Sequence, residues 1–143
     1  TRAGRIVANG GSLSGALPAA ALNQKPDLFG ASVIDFGALD LLRYQNHTGA
    51  LMWKDELGDV TVTEQFESLR RYSPLHNIPA GRCLPPTLVM HGSRDQVVVP
   101  SHSFKYVAAR KAVAGCEATT LLQYVEGTGH SFGATAEQTA ETW

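Results

Sequence analysis

Three residues that together could carry out nucleophilic chemistry occur along the chain in the order serine, aspartate, histidine. Ser12 lies in a glycine-rich turn, and Asp95 and His130 each follow an apolar run. A serine hydroxyl is a weak nucleophile near neutral pH, so it needs a histidine to take its proton and an acid to fix the tautomer of that histidine. We therefore predict Ser12 as nucleophile, His130 as base and Asp95 as the orienting acid.

The stretch around Ser12 predicts a strand, a sharp turn and a helix. Residues 5–17 read RIVANGGSLSGAL, in which 5–9 form an apolar run and 13 to about 22 can be helical. A sharp strand-to-helix turn with serine at its apex is the nucleophile elbow of α/β-hydrolases. A flexible turn or a phosphate-binding loop is the alternative interpretation, although neither GxGxxG nor GKS/GKT is present.

Small residues flank the predicted elbow, because backbone crowds against backbone on both sides of the serine. Gly10 removes one Cβ contact, and Gly15 is predicted to absorb a close contact between helix and strand. Ser14 stands where the usual pattern has glycine. The motif is therefore slightly degenerate.

Further elements must place Asp95 and His130. Apolar runs predict strands over residues 31–36, 87–90 and 121–125. Helices are predicted over 37–44, over 61–72 with Thr63 as N-cap, after Pro100, and from 134 to 143. The helix after Pro100 should bury Phe104, Val107, Ala108 and Val113, and residues 47–58 should form a surface excursion over the strand ends. Strands alternating with helices favour a parallel sheet, whose ligands bind beyond the carboxyl ends of the strands.

The other histidines and acids are interpreted as structural. His47, His76, His91 and His102 do not lie in a glycine-bracketed loop after the final strand, and Asp35 and Asp40 fall inside predicted elements. A metal site built from His91, Asp95 and His102 would match no compact ligand motif. We predict no metal and no cofactor.

Composition restricts the class of protein. The chain has 143 residues, 43% hydrophobic and 17% charged, and a net charge of −1, which is typical of a globular domain and argues against nucleic acid or an anionic membrane as partner. No apolar run approaches the roughly 20 residues of a membrane span. Cys83 and Cys116 lack metal-site spacing, and we favour free thiols over a disulfide, which indicates a cytoplasmic location.

The length predicts an incomplete domain. Eleven residues precede Ser12, whereas α/β domains commonly run to about 200–250 residues with several elements before the elbow. We therefore expect the C-terminal half of an α/β-hydrolase fold, a mostly parallel sheet with helices on both faces, truncated at its N-terminus. The elbow strand should then form an exposed edge of the sheet.

Several stretches resemble the catalytic domain of prolyl oligopeptidases, serine peptidases that cut short peptides after proline. They are NGGS at 9–12, NQKPDLFG at 23–30, YSPLHN at 72–77, VVPSHS at 98–103 and GH at 129–130, and together they cover nearly the whole chain. The resemblance implies an acyl-enzyme mechanism with Ser12, Asp95 and His130 as the triad. It further implies that Leu13 N–H binds the oxyanion, that Trp53 stacks on the substrate proline and that Val98 forms an apolar wall.

The chain also departs from that family. Leu13 replaces an asparagine, Ser14 a glycine, and Val97 the arginine that binds the substrate backbone in the family. The second oxyanion donor, a tyrosine, and a gating β-propeller lie upstream in the family, so the resemblance implies an N-terminal remainder of the catalytic domain and a propeller as partners. A catalytically inactive fragment and a general α/β-hydrolase esterase remain the alternatives to a peptidase.

Overall fold

The protein forms a four-stranded parallel sheet, and all three predicted site residues lie beyond the carboxyl ends of its strands. The computed structural model describes residues 2–116 and 119–131. The strands follow chain order across the sheet, β1-β2-β3-β4, and each pairs parallel with the next. They are β1 (Ile6–Gly11), β2 (Phe29–Asp35), β3 (Thr87–Gly92) and β4 (Thr120–Val125). The α/β fold and the predicted strands are thus confirmed, and β1 and β4 are the two edge strands of the described sheet.

Helices connect these strands, and the two that pack against the sheet lie on the same face, so the expected cover of the second face is not found within residues 2–116 and 119–131. They are α1 (Ala16–Gln24), α2 (Lys54–Leu57), α3 (Thr63–Tyr72) and α4 (Ser101–Val113). Short 3₁₀ turns occupy Ser12–Gly15, Pro26–Leu28, Leu41–Asn46, Thr48–Trp53 and Pro74–Asn77. Ala19 of α1 and Tyr106 of α4 pack with Ile34 and Val89, which lie side by side on the sheet. The predicted helix over 134–143 lies outside the described residues.

The buried face of α4 differs from the prediction. Phe104 and Ala108 are exposed, whereas the residues that face inward are His102, Ser103, Tyr106, Val107 and Arg110. Val107 is buried as predicted, but three of the inward residues are polar, so apolar periodicity alone misses most of the buried face of the helix. Burial of a polar side chain is tolerated when it is hydrogen-bonded, and each of the three has partners inside the protein.

Two local predictions about helices are also wrong. Thr63 is the first residue of α3, and the N-cap position is Val62, which has no capping side chain. The side chain of Asp59 instead accepts hydrogen bonds from the backbone and hydroxyl of Thr61, which organises the turn before the helix. Residues 37–40 are irregular and are followed by a 3₁₀ turn rather than a helix over 37–44.

Cys83 and Cys116 form a disulfide, so the prediction of free thiols is wrong. Their Cα atoms are 5.1 Å apart although the residues are separated by 33 positions in sequence. Cys83 precedes β3 and Cys116 precedes β4, so the covalent bond ties together the beginnings of two adjacent strands. The cytoplasmic location had free thiols as its basis, and the disulfide removes that support.

Within residues 2–116 and 119–131, no helix has the length and apolar character needed to cross a bilayer.

Candidate active site

Ser12 lies at the apex of a strained turn between β1 and α1. Its φ is +56°, a left-handed backbone conformation that residues other than glycine rarely adopt. Glycines make this turn possible: a Cβ on Gly10 would lie 2.8 Å from the carbonyl oxygen of Ser14, and one on Gly15 would lie 2.6 Å from the Cα of Gly37. The strand, the turn and the two close approaches are the features expected of a nucleophile elbow.

Ser14, at the degenerate position of the motif, is accommodated without a clash. Its side chain is exposed, and its hydroxyl donates a 2.7 Å hydrogen bond to the carbonyl of Gly11. The hydroxyl therefore satisfies a carbonyl within the turn.

The three predicted site residues form one hydrogen-bonded chain. Ser12 Oγ lies 2.8 Å from His130 Nε2, and His130 Nδ1 lies 2.7 Å from Asp95 Oδ2. Because a carboxylate only accepts hydrogen bonds, Nδ1 carries the proton and Nε2 is free to accept the serine proton. Asp95 is buried, whereas the His130 side chain is 22% exposed. The arrangement places a base against the serine hydroxyl and an anion behind the base.

The backbone holds Asp95 in this position. Its Oδ1 accepts hydrogen bonds from Val97 N–H at 2.9 Å and Val98 N–H at 3.0 Å, which leaves Oδ2 for His130. Burial by itself raises the pKa of Asp95, but hydrogen bonds from His91, His130 and Val98 N–H outweigh it, so the pKa lies below the ordinary value of 3.8. Asp95 is therefore an anion at neutral pH.

His91 supports Asp95 from inside β3, a role that the sequence did not indicate. The imidazole is fully buried. Its Nε2 lies 2.7 Å from the carbonyl of Val98 and 3.4 Å from Asp95 Oδ2. Both are acceptors, so Nε2 carries the proton, and Nδ1 accepts the hydroxyl proton of Ser103 at 2.7 Å. A histidine within an apolar strand gives no sequence signal of this kind.

The predicted pocket residues Trp53 and Val98 meet in one apolar cluster beside the elbow. They are 8% and 1% exposed, respectively. The other buried members are Ala16, Ala38, Leu41, Tyr44, Ala50 and Leu69, with the partly buried Leu13, Leu42, Leu57, Val60 and Val97 packed against them. The cluster borders a cavity of about 610 Å³ whose lining includes Leu13 and Leu57. The sequence did not indicate that Ala38 and Leu57 belong to this cluster.

Asp40 belongs to a separate charged cluster. The carboxylate is fully buried and pairs with Lys105 and, at 3.2 Å, with Arg43. Burial raises the pKa of Asp40, but Lys105 and Arg43 outweigh it, so its pKa is lowered. His102 Nδ1 accepts hydrogen bonds from the backbone N–H groups of Leu39 and Asp40, both at 3.1 Å. These contacts hold the loop after β2 against α4, in line with the prediction that Asp40 and His102 are structural residues.

Asp35, at the end of β2, is bonded to Asn9. Asn9 Nδ2 donates to its Oδ2 at 3.4 Å. Burial raises the pKa of Asp35, and the Asn9 bond opposes the shift only in part. No group of three or more His, Cys, Asp or Glu side chains suited to a metal occurs among the described residues.

Fold and site together define a class of protein. A parallel sheet with serine on a strand-to-helix elbow, an acid after a later strand and a histidine after the last described strand is the arrangement of α/β-hydrolases. The sequence pattern of the prolyl oligopeptidase family matches residues 1–142. The chain therefore belongs to the prolyl oligopeptidase family of serine peptidases.

Individual relatives agree with this assignment. The prolyl endopeptidase of Elizabethkingia miricola is 37% identical over 134 residues, which cover 93% of this chain and 19% of that protein. Prolyl oligopeptidase A of Amanita bisporigera is 36% identical over 146 residues, with coverages of 98% and 19%. The chain thus spans about a fifth of the length of these relatives.

Solved structures show the same similarity in three dimensions. A prolyl endopeptidase superposes with a TM-score of 0.87 at 36% identity, covering 91% of this chain and 19% of that one. The apo form of prolyl oligopeptidase B from Galerina marginata gives a TM-score of 0.82 at 29% identity, with coverages of 98% and 20%. The latter protein has also been solved with single serine, histidine or aspartate residues replaced by alanine.

Proposed function

We propose that this chain is the part of a serine-type oligopeptidase that carries the triad, and that it acts on short peptides after proline. The observation that supports the proposal most directly is the chain of two hydrogen bonds, 2.8 and 2.7 Å long, that links Ser12, His130 and Asp95. The left-handed φ of Ser12 adds to it, because strained backbone persists where function requires a particular side-chain direction.

The proposed reaction follows from this geometry. As Ser12 Oγ attacks the scissile carbonyl carbon, its proton passes to His130 Nε2, and the carbonyl oxygen becomes an oxyanion that accepts a hydrogen bond from Leu13 N–H. The C–N bond then breaks, and the amine takes the proton from Nε2. Water, deprotonated by the same nitrogen, hydrolyses the acyl-enzyme. Asp95 stays ionised throughout and stabilises the imidazolium.

The proposed specificity for proline has family membership and the apolar cluster as its basis. A pyrrolidine ring is apolar and flat enough to stack on an indole, and Trp53 and Val98 lie in the cluster beside the elbow. Prolyl oligopeptidase B of Galerina marginata has been solved bound to a 35-residue hydrolysis and macrocyclisation substrate. Val97 lacks the guanidinium that its family position implies, so we expect weak binding of the peptide backbone.

We propose that residues 1–143 form part of a peptidase catalytic domain. The relatives are about five times as long as the matched region. In the parent protein, an N-terminal remainder of the catalytic domain and a β-propeller would complete the site and restrict access to it.

Labelling with a fluorophosphonate, followed by peptide mapping, tests the nucleophile. We expect the label on Ser12, and loss of labelling and of hydrolysis in Ser12→Ala, because removing a triad member leaves only the residual catalysis of binding and the oxyanion hole. Ser68→Ala is the matched control, since Ser68 is an exposed serine of α3. Labelling that persists in Ser12→Ala would refute the assignment.

A second assay tests the substrate class. The turnover of a proline-peptide amide is compared with that of a simple ester in the same preparation. Amide turnover that requires proline supports the peptidase, whereas turnover of the ester alone supports a general esterase. If both activities are absent and Ser12 stays unlabelled, the result supports an inactive fragment.

A further inference from the structure

Phe36, directly after β2, is held in a conformation that disfavours its side chain. Its φ is +40°, and it shares a positive φ with only one other non-glycine residue in the described part of the chain, Ser12. The two residues follow the ends of adjacent strands, since Gly11 pairs with Asp35 in the sheet. The Phe36 N–H donates a 2.7 Å hydrogen bond to Met90 O of β3, which anchors the strained residue.

The aromatic ring of Phe36 contacts two parts of the candidate site. Its centroid is 4.6 Å from that of the His130 imidazole, with the planes inclined at 59°. A Cβ built on Gly11 would lie 3.4 Å from Phe36 Cε2, so the ring also lies close to the backbone immediately before Ser12. The ring therefore lies close both to the backbone before Ser12 and to the His130 imidazole.

This contact fixes a degree of freedom that the hydrogen bonds leave open. Ser12 and Asp95 hold the imidazole at its two nitrogens. Two such points define an axis, and the ring can still tilt about that axis with little change in either distance. A third contact away from the axis is needed to set the tilt. Inclined aromatic pairs at this separation attract each other.

We propose that Phe36 is a positioning residue that sets the tilt of the His130 imidazole. The strained backbone is the means by which the ring reaches the imidazole from the end of the neighbouring strand. The role rests on the proposed function in so far as it concerns reaction rate, whereas the orientation of the His130 ring can be measured without any reaction.

Three variants test the kinetic part of the proposal. Phe36→Leu removes the aromatic ring and keeps an apolar side chain, Phe36→Tyr keeps the ring, and Phe104→Leu is the matched control, because Phe104 packs against Tyr124 at 5.2 Å on the surface of α4. Loss of an aromatic contact corresponds to a roughly two- to tenfold change in rate. We expect the second-order rate of fluorophosphonate labelling at Ser12 to fall by that factor in Phe36→Leu and to stay within twofold of wild type in the other two.

Nuclear magnetic resonance tests the structural part independently of activity. The wild-type protein should show nuclear Overhauser effects between the Phe36 ring protons and the carbon-bound protons of His130. In Phe36→Leu, the His130 Nδ1 proton should exchange faster with water, because its hydrogen bond to Asp95 is less well aligned. Phe36→Tyr should retain the wild-type exchange rate.

The two measurements separate failure of the inference from failure of the proposed function. Wild-type protein that is never labelled at Ser12 overturns the proposed function, and the exchange of the Nδ1 proton then decides the role of Phe36 alone. Absence of the Overhauser effects in the wild type overturns the inference, and so does unchanged exchange in a folded Phe36→Leu. Equal loss of labelling in Phe36→Leu and Phe36→Tyr would also overturn it, since the ring would then not be the cause.

Discussion

Removal of the Cys83–Cys116 disulfide should cost the protein a large share of its stability. The bond closes a loop of 33 residues that contains β3 and most of the connection to β4. A disulfide lowers the conformational entropy of the unfolded chain, and for a loop of this length the loss corresponds to about 4 kcal/mol at 25 °C. Because domains of this size are stable by about 5–15 kcal/mol in total, the change should be easy to measure.

Urea unfolding, followed by circular dichroism, measures the effect. The oxidised wild type is compared with the reduced wild type and with the double variant Cys83→Ser/Cys116→Ser, and both should lose about 4 kcal/mol of unfolding free energy. If the double variant is unfolded in buffer, an osmolyte that favours compact states brings its transition into range. A loss below about 1 kcal/mol in both preparations would refute the loop-entropy reasoning, because the restriction of the unfolded chain would then not appear as stability of the fold.

Three further predictions concern a histidine, a valine and a glycine. Burial lowers the pKa of His102 to about 4 from an ordinary 6.5, so the unfolded chain binds the proton more readily, and the unfolding free energy should fall by roughly 3 kcal/mol as pH decreases from 6.5 to 4. Denaturant titrations across this pH window should show the fall, and an equally steep pH dependence in His102→Asn would contradict the assignment to His102. Val97→Arg should raise kcat/KM for a proline peptide on the order of tenfold or more, because hydrogen bonds from a charged group contribute about 1.5–3 kcal/mol. Unchanged kcat/KM in a folded variant would count against the proposed subsite. Gly15→Ala should destabilise the protein by about 1–3 kcal/mol because its Cβ would lie 2.6 Å from the Cα of Gly37, and a midpoint of unfolding equal to wild type would show that the turn can relax.

Features that depend on local pattern could be predicted from the sequence. The four strands are short apolar runs bounded by turn residues, and the elbow is a contiguous motif around Ser12, so both can be recognised within a few neighbouring residues. Asp95 and His130 could be selected because strand ends in a parallel sheet converge at one edge. The structure places these two side chains within hydrogen-bonding distance of each other.

Features that depend on three-dimensional partners could not be predicted. The pairing of Cys83 with Cys116 requires two loops, 33 residues apart, to meet before neighbouring strands. The inward face of α4 is concealed because Ser103 and Arg110 are polar and become buriable only through partners in β3 and in the loop before it. His91 likewise is buried only because Ser103 and Val98 bond its imidazole. The left-handed φ of Phe36 could not be predicted either, because phenylalanine rarely adopts that conformation.

The first turn of α4 behaves as a single mechanical anchor for two loops. His102 holds the backbone of the loop after β2, and Ser103 holds His91, which in turn contacts Asp95 after β3. Lys105 adds a second attachment to the loop after β2 through Asp40. A displacement of this one turn would therefore move both loops in concert, so a substitution that shifts α4 would displace the Asp95 carboxylate and the backbone at Leu39 together.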